Sequence, residues 1–427
     1  KQYTPQRMNI INTIAEVFRV SQDEFGSMMR FVREEERSGF NHRSMVVIET
    51  EKDLTCKSFV VFLKIESVNL YFLKCFCDGT TLLNGLPVIC RKVYLFAPGS
   101  SVQAPPAPNI YFSDITSHFA AGNDTRRISF VADGISYSFP DGTPAISNLR
   151  FAAGDGMLIG IMGSSGSGKT TLLNLLTGLT RPQSGEVRIN GISIHSGDRR
   201  LDGVVGYVPQ DDLLVEELTV FENLWYAASF CFAGKTRAEM TEIVNRSLHS
   251  LGLYEKRNFR VGSPMNKVIS GGQRKRLNIA LELIREPSVL FLDEPTSGLS
   301  SGDSENVMDL LHELTGKGKL VITVIHQPSS GIFKGFDKVL VLDQGGHLAF
   351  FGNPLDSIVH FKTHEAHINS GVAECPVCGT VNPDTLFNIL ETRVVDEFGK
   401  YTEQRKIKPE EWAEAYRKSV PSQEPKE

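Results

Sequence analysis

The sequence predicts an α/β fold with a mostly parallel sheet covered by helices, preceded by a small helical segment and a small β-sandwich. Between residues 128 and 352, short apolar runs alternate with helix-like stretches. A glycine-rich loop follows the apolar run 157–162 and precedes a leucine-rich helix. Residues 45–122 instead contain short β-branched and aromatic runs separated by Asp-Gly, Asn-Gly and Pro-Gly turns, which are typical of a sandwich.

Composition narrows the class of protein. A chain of 427 residues with 41% hydrophobic residues is long and apolar enough for several packed domains. The net charge of −5 lacks the basic excess that attracts nucleic acid, so we expect no nucleic-acid partner. Seven irregularly spaced cysteines favour a reducing compartment over a disulfide framework. Because no apolar run is long enough to span a membrane, we expect a soluble, cytosolic piece of a longer chain.

The first 44 residues have apolar residues at helical spacing, and Ser21 with Glu24 is a capping pattern for a second helix. Two helices make a poor core, so we expect residues 1–44 to be the end of a larger helical domain. In the predicted sandwich, residues 83–88 and 98–102 resemble the last strands of forkhead-associated domains. That resemblance implies a phosphoprotein partner. However, no arginine clamp for a phosphate can be placed, which favours a packing or scaffold module.

The glycine-rich loop at residues 163–170 reads Gly-Ser-Ser-Gly-Ser-Gly-Lys-Thr, which matches the pattern Gly-x-x-x-x-Gly-Lys-[Ser/Thr]. Glycines let successive N–H groups face inward, and the following helix adds its positive end. We therefore expect a nucleotide here, with Lys169 reaching the β- and γ-phosphates and the Thr170 hydroxyl on Mg²⁺. A flexible linker would not have a strand and a helix on either side. The predicted nucleotide-binding residues are Gly163, Ser164, Ser165, Gly166, Ser167, Gly168, Lys169, Thr170 and Thr171.

Two carboxylates follow the apolar strand at residues 289–292. Ligands of parallel sheets bind at the carboxyl ends of the strands, so we expect this pair to face the phosphates. Asp293 is predicted to act on Mg²⁺, and Glu294 to orient and partly deprotonate the attacking water. Tyr137 lies on an earlier predicted strand, where its ring is equally suited to stack on adenine or to fill a strand face.

Ser270, Gly271, Gly272 and Gln273 begin another predicted helix. By the same N–H and dipole argument, this terminus is a second anion-binding site. One nucleotide does not need two such sites in one chain. The sequence therefore predicts two copies arranged head to tail, in which the phosphate loop of each copy is closed by the Ser-Gly-Gly-Gln segment of the other.

In this order, the motifs resemble those of ATP-binding cassette (ABC) ATPases. Residues 163–170 are similar to Walker A, Gln210 to the Q-loop, 269–273 to the signature, 289–294 to Walker B and His326 to the switch histidine. The resemblance implies ATP and Mg²⁺ as ligands and hydrolysis of ATP as the activity. Its implied catalytic residues are Glu294, His326, Lys169 and Gln210, and its implied metal residues are Thr170, Gln210 and Asp293.

The same resemblance implies that Gln210 senses Mg²⁺ and a transmembrane partner, and that His326 contacts the γ-phosphate and the attacking water. One position departs from the family pattern. Ser300 stands where the family usually has Asp. We expect weaker communication across the dimer and slow hydrolysis as a result.

Residues 326–333 and 382–390 are similar to G-type (White/pigment-precursor) transporters, in which the ATPase precedes a membrane domain. This implies a transmembrane domain in the same parent chain and a place at the cytoplasmic face of a membrane. Residues 211–280 would be the helical subdomain, and 353–427 the extension toward the membrane domain. For the amphipathic stretch 405–418, a helix that simply closes the domain is an equal alternative. The alternative function is a soluble, nucleotide-gated dimerisation scaffold that recruits a phosphoprotein.

Cys375 and Cys378 have the spacing of half a zinc ribbon. His360, His364 and His367 precede them, but no second cysteine pair follows, and structural zinc needs four ligands. The sequence therefore favours two free thiols over a zinc site.

Overall fold

The computed structural model describes residues 5–17, 20–50, 58–68, 70–76, 81–104, 107, 109–120, 128–232, 234–263, 268–365, 370–375, 378–398 and 400–419. The chain divides into two compact units. The first unit comprises Lys1–Asp124 and Glu374–Thr380, and the second comprises Thr125–Ala373 and Val381–Glu427. The predicted α/β fold class is confirmed, whereas the boundaries drawn from the sequence stay predictions.

The first unit combines helices with two antiparallel sheets. Its helices are α1 (Pro5–Val17), α2 (Gln22–Arg33) and α3 (Phe112–Ala120). Its strands are β1 (Met45–Glu49), β2 (Phe59–Ile65), β3 (Leu70–Phe76), β4 (Leu82–Leu83), β5 (Leu86–Pro87), β6 (Val93–Leu95), β7 (Ser101–Gln103) and β8 (Ile110–Tyr111). The strand orders are β1-β2-β3-β6 and β5-β4-β7-β8. Buried side chains from both sheets share one hydrophobic cluster, which includes Phe62, Leu73 and Val102.

The turn between β4 and β5 explains one sequence signal. Asn84 and Gly85 have φ angles of 52° and 78°, the left-handed values that a two-residue hairpin turn requires. The Asn84 side chain also accepts a hydrogen bond from the Ser101 N–H at 2.9 Å, which joins the turn to β7. The resemblance of this region to forkhead-associated domains stays a prediction.

Helix α2 packs on the outer face of the first sheet. It begins as the capping pattern predicts, because the Ser21 side chain accepts a hydrogen bond from the Glu24 N–H. Phe31 of α2 shares a second hydrophobic cluster with Phe59 and Phe76 of the sheet. The small helical segment therefore has its own packing partner within the first unit. That residues 1–44 end a larger helical domain stays a prediction.

Lys74 lies between α2 and the sheet and is only 3% exposed. Its ammonium donates hydrogen bonds to the carbonyl oxygens of Phe31, Val32 and Glu34 at 3.2, 3.1 and 2.8 Å. These carbonyls are at the C-terminal end of α2, where a helix has unpaired acceptors and a negative partial charge. Burial lowers the pKa of Lys74, and nearby Glu35 opposes that shift. Neither periodicity nor spacing in the sequence predicts this contact.

The described part of the second unit contains two large sheets and a separate two-stranded sheet, which is formed by its last two strands. Its strands are β9 (Ser129–Ser138), β10 (Pro144–Gly154), β11 (Leu158–Gly163), β12 (Ser184–Ile189), β13 (Ile192–Ser193), β14 (Val205–Val208), β15 (Val289–Asp293), β16 (Leu320–Val324), β17 (Lys338–Asp343), β18 (His347–Gly352), β19 (Arg393–Val395) and β20 (Tyr401–Arg405). Its helices are α4 (Lys169–Thr177), α5 (Val220–Cys231), α6 (Arg237–Ser250), α7 (Gly271–Leu283), α8 (Ser301–Gly316), α9 (Ser330–Gly335), α10 (Pro354–His364), α11 (Asp384–Leu390) and α12 (Pro409–Ser419).

The main sheet of the second unit has the order β14-β15-β16-β11-β17-β18. Its first five strands are parallel, and β18 is antiparallel. The second sheet, β10-β9-β12-β13, is antiparallel. One core cluster joins both sheets to α4. Because β14, β15, β16 and β11 are parallel neighbours, the segments that follow them leave the sheet at one edge.

Helix α12 is the last described element of the second unit. Trp412 of α12 is fully buried against Phe361 of α10, and the Tyr416 hydroxyl donates to the Phe351 carbonyl oxygen at 2.9 Å. Helix α12 therefore closes the domain, and its continuation toward a bilayer stays a prediction. Among the described residues, no helix combines the length and the apolar character that crossing a membrane requires.

Candidate nucleotide-binding site

The glycine-rich loop lies between the buried strand β11 and helix α4. A Cβ on Gly168, which has φ of 95°, would overlap the Ala145 carbonyl oxygen. Gly168 is therefore required both by its backbone conformation and by a close neighbour. Gly166 has φ of 77°, and a Cβ there would meet no heavy atom within 4 Å. The loop thus has open space on the side of Gly166, as a cradle for phosphate needs.

Lys169 begins α4 and is 9% exposed. Its ammonium donates to the carbonyl oxygens of Gly163 and Ser164 at 2.9 and 2.8 Å. Burial lowers the pKa of Lys169, whereas the charges of Glu294 and Asp293 act in the opposite direction. The buried cation thus lies at the positive end of a helix, where an added anion would stabilise it.

Two buried oxygens at the site lack partners in the part of the chain that the structure describes. They are Ser167 Oγ in the loop and Asp293 Oδ1 at the end of β15. Burial, and secondarily the charge of Glu294, raises the pKa of Asp293, while Lys275 and Lys169 lower it. Unpaired buried polar atoms are costly, so both oxygens fit a site that binds additional polar groups. A carboxylate oxygen is a ligand that Mg²⁺ prefers, and a serine hydroxyl can donate to a phosphate.

Glu294 and Gln210 are brought together by neighbouring strands. Val208 of β14 pairs with Leu292 of β15. Gln210 and Glu294 each lie two residues after these paired positions, and Gln210 Nε2 donates a hydrogen bond to Glu294 Oε2 at 3.4 Å. Glu294 has φ of 45°, which a non-glycine residue adopts at a cost of about 1–3 kcal/mol. Such strain is concentrated at functional positions in proteins.

His326 follows β16, the strand between β15 and β11, and its side chain is exposed. The sheet order therefore puts the glycine-rich loop, the Asp293-Glu294 pair, Gln210 and His326 at the carboxyl ends of four neighbouring strands. Of the other predicted residues, Thr170 is exposed and Thr171 half-buried, both in the first turn of α4. In the loop before it, Ser164 is half-buried and Ser165 is exposed.

Tyr137 lies on β9, partly packed against the core, with its ring 5.9 Å from that of Phe139. It pairs with Ile146 of β10, whose side chain lies 3.4 Å from the position of a Cβ on Gly168. Ile146 therefore lies between Tyr137 and the glycine-rich loop. Stacking on adenine stays a prediction.

The Ser-Gly-Gly-Gln segment caps α7. The Ser270 side chain accepts from the Gln273 N–H at 3.2 Å, and the Gln273 side chain accepts from the Ser270 N–H at 2.9 Å. Ser270 is exposed. These two residues therefore bind each other, and among the described residues no hydrogen bond joins them to the glycine-rich loop.

Two buried cations directly after this segment, Arg274 and Lys275, were not predicted as site residues. Arg274 donates to both carboxylate oxygens of Asp212 at 2.9 Å and also to the Gly262 carbonyl oxygen. Lys275 donates to the Gln210 carbonyl oxygen at 2.7 Å. Arg274 is 5% exposed, and burial lowers the pKa of Lys275. Helix α7 is thus attached to the segment that contains Gln210, although no periodicity in the sequence indicated these partners.

The candidate zinc site gains no support from the structure. Cys375 and Cys378 are free thiols. Within the described ranges, no group of three or more His, Cys, Asp or Glu side chains could hold a metal ion. His367 lies outside the described residues.

Comparison with known proteins identifies the same family that the motifs resemble. Residues 146–297 match the family described as ABC transporter. ABC transporter G family member 25 of Oryza sativa subsp. japonica is 38% identical over 268 residues, which are 61% of this chain and 26% of that protein. Protein scarlet of Drosophila melanogaster is 40% identical over 254 residues, which are 58% of this chain and 36% of that protein. The chain thus spans well under half the length of these relatives.

A solved structure is also similar. It is cbiO1 from Clostridium perfringens, described as part of the ABC transporter complex cbiONQ. It has 25% sequence identity and a TM-score of 0.49, covering 56% of this chain and 93% of that chain.

Proposed function

Because the second unit contains an ATP-binding domain of the ABC transporter family, of the G type, we propose that this chain binds ATP with Mg²⁺ and hydrolyses it to power transport across a membrane. The observation that carries the proposal is the sheet order. Four neighbouring strand ends hold the glycine-rich loop, the acidic pair, Gln210 and His326. The Oryza sativa relative, which is named as an ABC transporter, favours this function over a soluble dimerisation scaffold.

In the proposed reaction, the N–H groups of residues 163–170 and the Lys169 ammonium hold the β- and γ-phosphates. Thr170 and Asp293 would hold Mg²⁺, together with Gln210, and the metal would neutralise charge that develops on the phosphates. Glu294 accepts a proton from the attacking water, and His326 orients that water against the γ-phosphate. Water then displaces ADP, and the products are ADP and phosphate.

Two copies would complete the site. Within one chain, Ser270 and Gln273 bind each other at the start of α7, and Ser270 is exposed there. We propose that this terminus faces the nucleotide held by a second, head-to-tail copy. Closure and opening of the pair would then move a transmembrane domain of the same parent chain at the cytoplasmic face of a membrane. For the first unit, we propose a forkhead-associated-like module, and the Asn84-Gly85 turn is the feature that supports it.

The test measures phosphate release from MgATP by the purified chain and by its Glu294→Gln variant. We expect slow release by the parent and a loss of about 10²–10⁴-fold in the variant, because a positioned general base contributes a factor of that size. The variant should still bind ATP and form a dimer by light scattering. If parent and variant bind ATP equally well and neither releases phosphate, the domain is an ATP-binding regulator and not an ATPase.

A further inference from the structure

The start of helix α8 lies against the two glycines of the Ser-Gly-Gly-Gln segment. A Cβ on Gly272 would overlap the carboxylate of Asp303, and a Cβ on Gly271 would be 3.3 Å from Leu299 Cδ2. Gly272 is buried and Asp303 is half-buried. The absence of a side chain at Gly272 therefore lets a carboxylate of the same chain approach the first turn of α7.

Ser300 fixes the direction of this carboxylate. As the N-cap of α8, its hydroxyl oxygen accepts from the Asp303 N–H at 3.2 Å, and its hydroxyl hydrogen can bind Asp303 Oδ2 at 3.2 Å. One carboxylate oxygen is thus held within α8, and Oδ1 is the atom nearest to the Gly272 position. An aspartate at position 300 would repel Asp303, so the serine and this carboxylate are compatible as a pair.

The charge of Asp303 stabilises the single chain and opposes closure of the proposed dimer. The N-terminus of α7 has unpaired N–H groups and a positive partial charge, which a nearby carboxylate stabilises. The proposed dimer brings the γ-phosphate of the partner's nucleotide to the same terminus. Two anions at one helix start repel each other, so the carboxylate that suits the single chain opposes closure.

We propose that Asp303 is a regulatory charge that raises the ATP concentration needed for two chains to pair. This inference rests on the proposed function, because it concerns the same composite site. If Asp303 served only as a cap for α8, removing its charge would lower the stability of the chain and leave the ATP dependence of pairing unchanged.

The test uses Asp303→Asn in the Glu294→Gln background, where hydrolysis does not deplete the nucleotide. Light scattering follows dimer formation as MgATP is increased. We expect half-maximal pairing at an ATP concentration lower by about twofold to fivefold, the range of a single charge at a helix terminus. The difference should shrink as salt is added, because salt screens partly exposed charges. Asp303→Ser, with a small polar side chain, is a second variant in which the ATP concentration for half-maximal pairing should also be lower.

Glu305→Gln is the matched control, because it removes one negative charge from an exposed position of the same helix. It should leave the ATP dependence unchanged. Equal shifts in the Glu305 and Asp303 variants, or no decrease for either Asp303 variant, would overturn the inference while leaving the proposed function intact. If the Glu294→Gln parent binds MgATP but stays monomeric at every concentration, the proposed dimer fails and this inference fails with it.

Discussion

Each unit of the molecule buries a lysine among backbone carbonyls, and the two lysines differ in what surrounds them. Lys74 donates to three carbonyl oxygens, which is the full capacity of an ammonium group. Lys169 donates to two, which leaves one hydrogen for another acceptor. Lys74 lies at the C-terminal end of α2, whereas Lys169 lies in the first turn of α4. A cation is favoured at the first position and disfavoured at the second.

Two features distinguish a buried cation with a structural role from one that binds a ligand: the number of acceptors it already has and the sign of the helix end beside it. Lys74 is saturated and lies at a helix end of matching sign, so its environment is complete without a ligand. Lys169 has a spare donor at a helix end of the wrong sign, so an anion such as a phosphate would improve its environment. Burial lowers the pKa of both lysines and therefore does not distinguish them. The two lysines are distinguished by the number of acceptors they already have and by the polarity of the nearby helix end.

The largest effect on MgATP affinity is expected for Lys169→Met. Loss of the one charged hydrogen bond that Lys169 has left for a phosphate should weaken MgATP binding by about 1.5–3 kcal/mol. The free energy of unfolding without nucleotide should change little, because the loss of two hydrogen bonds to carbonyls is offset by removal of a buried cation from the positive end of a helix. Isothermal titration calorimetry and urea denaturation measure the two quantities. A variant that binds MgATP normally would show that Lys169 resembles Lys74 after all.

The complementary variant, Lys74→Met, keeps the aliphatic stem and leaves three carbonyls without their donor. We expect destabilisation of the first unit by about 2–4 kcal/mol, with unchanged MgATP affinity. Both tryptophans, Trp225 and Trp412, lie in the second unit, so their fluorescence does not report this loss. Hydrogen exchange of the α2 amides is the appropriate measurement. Slow exchange equal to that of the parent would contradict the assigned role.

A smaller effect is expected from pH. The folded-state pKa of Lys169 is lowered from 10.5, so between the lowered value and 10.5 the unfolded chain binds more protons. Its contribution to stability without nucleotide therefore rises with pH in that window. Affinity for MgATP should fall there, because the phosphates need the protonated ammonium. Calorimetry at increasing pH measures this fall in MgATP affinity. In Lys169→Met, the part of the pH dependence that is due to Lys169 should be absent. Lys74 shares the direction of the pKa shift but should not affect affinity.

Local patterns predicted much of this structure. The apolar runs at residues 157–162 and 289–292 became the buried strands β11 and β15. Parallel pairing of neighbours explains why residues far apart in sequence follow strand ends at one edge. The Ser21 cap and the Asn84-Gly85 turn likewise depend on residues that are close together in the sequence. For each of these, the determining interactions lie within a few residues of one another. The roles assigned to the individual site residues stay predictions.

The contacts that the sequence did not reveal join distant segments. Lys74 meets the end of α2 at a separation of about 40 residues, and Lys275 meets Gln210 at a separation of 65. The approach of Asp303 to Gly272 depends on how α7 and α8 pack. A long polar side chain selects its partner only after packing is complete, so neither periodicity nor spacing indicates these pairs.

The attachment of α7 to the Gln210 segment has a consequence for how the two pockets of a pair would respond to ATP. Arg274 and Lys275 hold that segment with buried hydrogen bonds, so displacement of Gln210 displaces the start of α7 as well. In a head-to-tail pair, that helix start belongs to the neighbour's pocket. Occupancy of one pocket would therefore change the affinity of the other, and the Hill coefficient of the saturation curve for ATP should differ from one.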